Sequence, residues 1–143
     1  MSVGTVVLTP GSAYAVDDCP VLDLSGQAIP EAEWTARVAL DIHAARPEAP
    51  LLLVFQGDAC IHAPSLGFAQ RSARRPVAGY VLVDPILPRP GSAPDWPDAP
   101  VTVVVSPAAD DTSRSQALGA RLRGWDAIDG DPAHLIREIA SRP

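Results

Sequence analysis

Apolar and polar positions along this chain form two alternating kinds of segment. Short, almost wholly apolar runs, GTVVLTPG, LLLVFQG, GYVLVDP and PVTVVVSP, are each stopped by glycine or proline, the mark of buried strands. CPVLDLSG predicts a shorter edge strand and GWDAIDGD a last strand. Between them PEAEWTARVALDIHAAR sets Trp34, Val38 and Ile42 on one stripe, with Arg37, Asp41 and Arg46 off it, which predicts an amphipathic helix. SRSQALGARLRG predicts a helix that starts after the capping candidates Thr112 and Ser113 and stops at Gly124. DPAHLIREIASR predicts another, with Asp131 as N-cap, Pro132 in its first turn and Leu135, Ile136 and Ile139 as its apolar face. HAPSLGFAQRSARR reads as helical with Pro64 in its first turn, and PILPRPGSAPDWPDAP as an irregular surface link. Strands alternating with helices predict an α/β fold: a mostly parallel sheet of about six strands with helices on both faces.

Length and charge narrow the picture. At 143 residues the chain is expected to form a single domain, 1–143, around one core. Its longest apolar run, Leu51 to Phe55, is far too short to span a bilayer, and MSVGTVVLTPG reads as a first strand rather than a signal peptide, so a cytoplasmic protein is expected, with no membrane partner. The net charge is -6, from 17 acids against 11 bases, and every base is an arginine. Only RSARR clusters them, at a helix end where cations suit the dipole, so nucleic acid is not an expected partner. Cys19 and Cys60 are expected to be free thiols. Arginine-, alanine- and proline-rich usage suggests a GC-rich, actinobacterial kind of genome.

In such a sheet a ligand is expected at the carboxyl ends of the strands. Four segments converge there: TPGSAY, GDACIH, SPAADD and DGDPAH.

These segments resemble the α/β-hydrolase superfamily over most of the chain. VVLTPGSA is similar to its oxyanion-hole turn, LLLVFQGDACI to its strand and nucleophile elbow, and VAGYVLVDPILP to the strand after the elbow helix. PVTVVVSPAADD resembles the strand leading to the triad acid, and GWDAIDGDPAHLIREIA the last strand, histidine loop and final helix. The resemblance implies a shortened member without the first two strands and without a cap domain. Its elbow pattern is G-x-S-x-G. Here Gly57 fits the first glycine, Ala59 takes the nucleophile position and Ile61 that of the second glycine. The histidine position falls at about Asp131, with His134 three residues late, and only the acid, Asp110 or Asp111, stands where the pattern has it. In that register serine-type acyl transfer is excluded by residue type.

The remaining candidates each have a structural and a chemical reading. Asp58 is either a helix cap or, as in relatives with an aspartate at the elbow, a nucleophile. Cys60 and His62 are two apart on a helix and do not face each other, which favours a structural Cys60. Asp110, Asp111 and Asp131 are candidate caps; clustered on one rim with Asp58, or with Asp129, they would raise one another's proton affinity and furnish a general acid or base. His134 reaches toward the rim from the first turn of the last helix, whereas His43 is read as structural. Gly11, Ser12 and Tyr14 belong to the oxyanion turn, whose amides, with that of Cys60, would bind an oxyanion. Trp96 either walls the pocket or covers the sheet end. His62 near carboxylates is the sole hint of a metal and has no ligand spacing, so neither metal nor cofactor is expected.

Two functions follow. One is a triad-deficient, hydrolase-like protein doing non-hydrolytic acid–base chemistry on a small carbonyl compound, by cyclisation, isomerisation or epimerisation, in bacterial secondary metabolism. The other is a non-catalytic binding or accessory protein, a pseudoenzyme. A hydrolase using Asp58 or Cys60 is the remaining alternative. Under each, a sheet edge is expected to pair with a second copy or a partner chain.

Overall fold

The structure is a computed structural model that describes residues 2–91, 93 and 95–142; Ser92 and Pro94 of the proline-rich link lie outside the described residues. Six strands form one all-parallel sheet: β1 (Thr5–Leu8), β2 (Val21–Asp23), β3 (Leu51–Gln56), β4 (Val77–Val83), β5 (Val101–Val105) and β6 (Asp126–Asp129). Their order is β2-β1-β3-β4-β5-β6. Four helices cover the sheet: α1 (Trp34–Ala45), α2 (Ala63–Ser72), α3 (Asp111–Leu122) and α4 (Pro132–Ala140). The α/β architecture read from the apolar pattern is the one observed.

Parallel strands require cover on both faces, which is why the central strands carry no polar alternation. In β3 and β5 every residue but Gln56 is buried. The pleat sends Val7, Leu53, Phe55, Leu82 and Val103 to one face, where Trp34, Val38 and Ile42 of α1, Leu66 of α2 and Ala117 and Ala120 of α3 pack on them. It sends Val6, Leu8, Leu52, Val54, Val81, Val83 and Val104 to the other, where the one helix among the described residues is α4 with Ile136, Leu135 and Ile139. The rest of that face is covered by irregular chain between β1 and β2, through Tyr14, Val16 and Cys19. The two faces are thus covered unequally, three helices against one and a loop.

Two boundaries differ from the sequence reading. The N-cap of α3 is Asp110, not Thr112 or Ser113, because its carboxylate accepts the Ser113 amide at 2.8 Å and draws the helix start forward. The elbow helix is broken in two, a 3-10 stretch at Gly57–His62 followed by α2, with Pro64 in the first turn of α2, where a missing N–H costs nothing. The outer strands β2 and β6 are only partly buried, as edges are.

Candidate functional site

Strand order reverses at β1: β2 lies on one side of it and β3 on the other. In a doubly wound sheet this switch point, at the carboxyl ends of the strands, opens the crevice where ligands bind. The oxyanion-like turn after β1 lies there, but its polar groups face inward. Thr9 and Ser12 are both fully buried and their hydroxyls donate to the Val54 carbonyl of β3, at 2.6 and 3.3 Å. The Gly11 amide donates to the Ser25 carbonyl at 3.1 Å and the Ser12 amide to Thr9 at 2.9 Å. These amides are engaged within the chain, which corrects the expectation that they face an oxyanion.

At the elbow, the left-handed residue is Gly57, with φ of 57° immediately after β3. A strained strand-to-helix turn marks the nucleophile of an elbow. Gly57 adopts this conformation without strain, and Ala59, two residues on, is nearly as small. Neither has a nucleophilic atom. Asp58 is exposed, in the first turn of the 3-10 stretch. Cys60 is 0% exposed, and burial pushes its thiol well above the ordinary range, with the Asp84 and Asp58 charges adding to the effect.

Asp84, which the sequence reading passed over, organises this rim. It ends β4 in the left-handed region, φ 44°, a conformation aspartate tolerates better than most residues. Its carboxylate accepts the Ser106 amide at 2.9 Å and the Ser106 hydroxyl, tying the end of β4 to the end of β5. Its carbonyl accepts the Ser113 hydroxyl at 3.4 Å, from the first turn of α3. Tyr14 approaches from the loop on the α4 face. Its hydroxyl is pushed above the ordinary tyrosine range by burial first, then by the Asp84 charge and by Cys60. Tyr14, Cys60 and Asp84 follow β1, β3 and β4, on the carboxyl side of the sheet. A signal for Asp84 existed: it is the one charged residue between Val77 and Pro88.

The other candidates are dispersed. Asp110 is the cap of α3, and the Ser113 contacts hold its carboxyl below the usual range; Asp111 is exposed beside it. Asp131 caps α4 by accepting the His134 amide at 3.1 Å. The His134 ring lies along the α4 surface, Nε2 3.5 Å from Glu138 and Nδ1 3.4 Å from Arg137. It lines a groove of about 400 Å³ with Asp18, Cys19, Arg137 and Glu138, on the opposite face of the sheet from His62. His62 stacks on Trp34, ring centroids 4.6 Å apart. Trp96 packs edge-on against Tyr80 and Trp125, at 5.2 and 5.4 Å. Tyr80 pairs with Val101, the first residue of β5, so Trp96 covers the sheet face toward the start of β5 and does not wall the carboxyl-end rim. Asp110 and Asp131 are each engaged as caps at their own helix starts, Asp58 makes no capping contact, and His134 lies along α4. Among the described residues no three His, Cys, Asp or Glu side chains are grouped to hold a metal ion, and no helix is long and apolar enough to cross a membrane.

No protein-family model matches the chain, and no curated protein or solved structure matches it either.

Proposed function

We propose that this chain is an α/β-hydrolase-like protein without a hydrolytic triad, and that its switch-point rim carries out acid–base chemistry, isomerisation, epimerisation or cyclisation, on a small carbonyl compound. The observation that carries this reading is the rim itself, where Tyr14 follows β1 and Asp84 follows β4 at the carboxyl ends of the strands, the Asp84 carboxylate held there by Ser106. A phenol kept protonated is a hydrogen-bond donor to a carbonyl oxygen, and a carboxylate on the same rim can accept a carbon-bound proton. In this role Tyr14 and Asp84 replace the rim aspartates of the sequence reading. An elbow with Gly57 and Ala59, neither carrying a nucleophilic atom, supports a non-hydrolytic route.

The test is exchange of the α-protons of a 1,3-diketone in D2O, followed by NMR. The protein should accelerate exchange over buffer, and Tyr14→Phe should lower the acceleration by about 100-fold, the usual worth of one acid–base group. No acceleration would transfer the assignment to the second reading, a non-catalytic binding or accessory protein. That reading is favoured by the inward-facing amides of Gly11 and Ser12. Under either, the edges of β2 and β6 are the places for a second copy or a partner strand.

A further inference from the structure

A pocket of about 310 Å³ opens at the carboxyl ends of β5 and β6, beside the first turn of α3. Val105, Ser106, Pro107, Arg114, Asp129 and Gly130 line it. Its volume is at the small end of the range for pockets that hold a small molecule. Most polar groups of its walls are already engaged within the chain. The Ser106 amide and hydroxyl donate to Asp84, the Ser106 Oγ accepts the Ala108 amide at 3.3 Å, and the Ser106 carbonyl accepts the Ala109 amide at 3.1 Å. The Gly130 amide donates to the Val105 carbonyl at 3.1 Å, and Pro107 has no amide to give. Two side chains of opposite charge remain, Arg114 and Asp129, both exposed. They line the same pocket without pairing, and among the described residues neither takes part in an ion pair or a side-chain hydrogen bond. Arg114 differs in this from Arg121 and Arg123 at the other end of α3, whose guanidiniums donate to the Ala127 and Pro88 carbonyls at 3.0 and 2.8 Å.

We propose that this pocket binds a short aliphatic α-amino acid as its zwitterion, with the carboxylate on Arg114, the ammonium on Asp129 and the side chain against Pro107. A guanidinium takes a carboxylate through two parallel N–H donors, and a carboxylate takes an ammonium through charge-assisted hydrogen bonds. One free charge of each sign selects a ligand that carries both. A plain anion is drawn to Arg114 and repelled by Asp129, and a plain cation meets the reverse. Both side chains stand in water, which weakens each pair, so binding in the millimolar range is expected. Neither Tyr14 nor Asp84 contacts the amino acid, so this site and the proposed acid–base function fail or stand separately.

The test is a heteronuclear NMR titration of the isotope-labelled protein with L-alanine, propionate and ethylamine, on variants whose spectra match wild type away from the pocket. L-Alanine should shift the amides of Ser106, Arg114 and Gly130 saturably. Propionate, which lacks the ammonium, and ethylamine, which lacks the carboxylate, should each bind about 5-fold more weakly, the worth of one solvent-facing ion pair. Arg114→Gln and Asp129→Asn should each weaken alanine binding by a similar factor, about 5-fold, and Arg114→Lys should weaken it less than Arg114→Gln. Arg37→Gln, which removes an equal charge from an exposed position of α1, should leave it unchanged. No saturable shift with alanine, shifts centred on other residues, propionate or ethylamine binding as tightly as alanine, or binding undiminished in Arg114→Gln or Asp129→Asn overturns the proposal. Diketone proton exchange is read separately and does not bear on these shifts.

Discussion

The Asp84 carboxylate accepts both the amide and the hydroxyl of Ser106, so the ends of β4 and β5 are joined by one side chain across two neighbouring strands. The paired residues of β4 and β5 end at Val83 with Val104, the Asp84 amide donates to the Val104 carbonyl at 2.9 Å, and the side-chain contact continues the connection to Ser106.

Replacing Asp84 by alanine should therefore destabilise the fold by about 1.5–3 kcal/mol, the range for hydrogen bonds to a charged acceptor. Urea unfolding measures it. Ser106→Ala should cost less, since the amide contact survives. Equal losses in the two variants would show that the amide contact contributes nothing.

Tyr80 and Gly67 make a second tight pair. The Tyr80 hydroxyl donates to Asp98 at 2.6 Å, and a Cβ on Gly67 would stand inside contact distance of that hydroxyl. Alanine normally favours a helix over glycine by about 1 kcal/mol. Here Gly67→Ala should instead destabilise by about 1–3 kcal/mol through overpacking. Truncating the tyrosine to phenylalanine in the same chain should recover part of the loss, a coupling that a double-mutant cycle reads directly.

The two thiols should behave differently. Cys60 is fully buried with its thiol pushed up by desolvation, whereas Cys19 is partly exposed beside α4. At pH 8 Ellman's reagent should titrate a single thiol in the native protein and both in denaturant. Fast reaction of Cys60 in the folded state would contradict its placement.

Ile136 anchors the one helix on the β1–β2 loop face and is 0% exposed. Ile136→Ala should cost about 2–5 kcal/mol. The loss should exceed that of Leu122→Ala on α3, where the side chain is 90% exposed. Thermal unfolding of the two variants gives the comparison.

Asp110 and Asp23 titrate below the ordinary aspartate value of 3.8, each because a serine hydrogen-bonds to the ionised carboxyl. A depressed folded-state value contributes stability that is present above 3.8 and lost as pH falls through the lower folded value. Stability should decline on acidification below about pH 4. Asp110→Asn, which keeps a capping oxygen without the charge, should make that decline shallower; an unchanged acid profile would remove Asp110 from its cause.

Much of this molecule is already legible in the order of its residues. Runs such as LLLVF and VTVVV leave no polar side for solvent, and that alone forces a sheet covered on both faces. The stripe Trp34, Val38, Ile42 and the pair Asp131-Pro132 similarly place α1 and the start of α4, because capping and periodicity are local. The site was less legible for the same reason. Asp110 and Asp131 look alike as candidate acids and as caps, and their helix-start hydrogen bonds decide for the cap. Asp84 looks like an ordinary turn residue until β5 arrives beside β4 and brings Ser106 to it, 22 positions further along the chain. Thr35 and Ser65 likewise meet, at 2.9 Å, only once α1 packs beside α2. Local chemistry follows from neighbours in sequence, whereas contacts between distant strands and helices depend on the packing of the whole core.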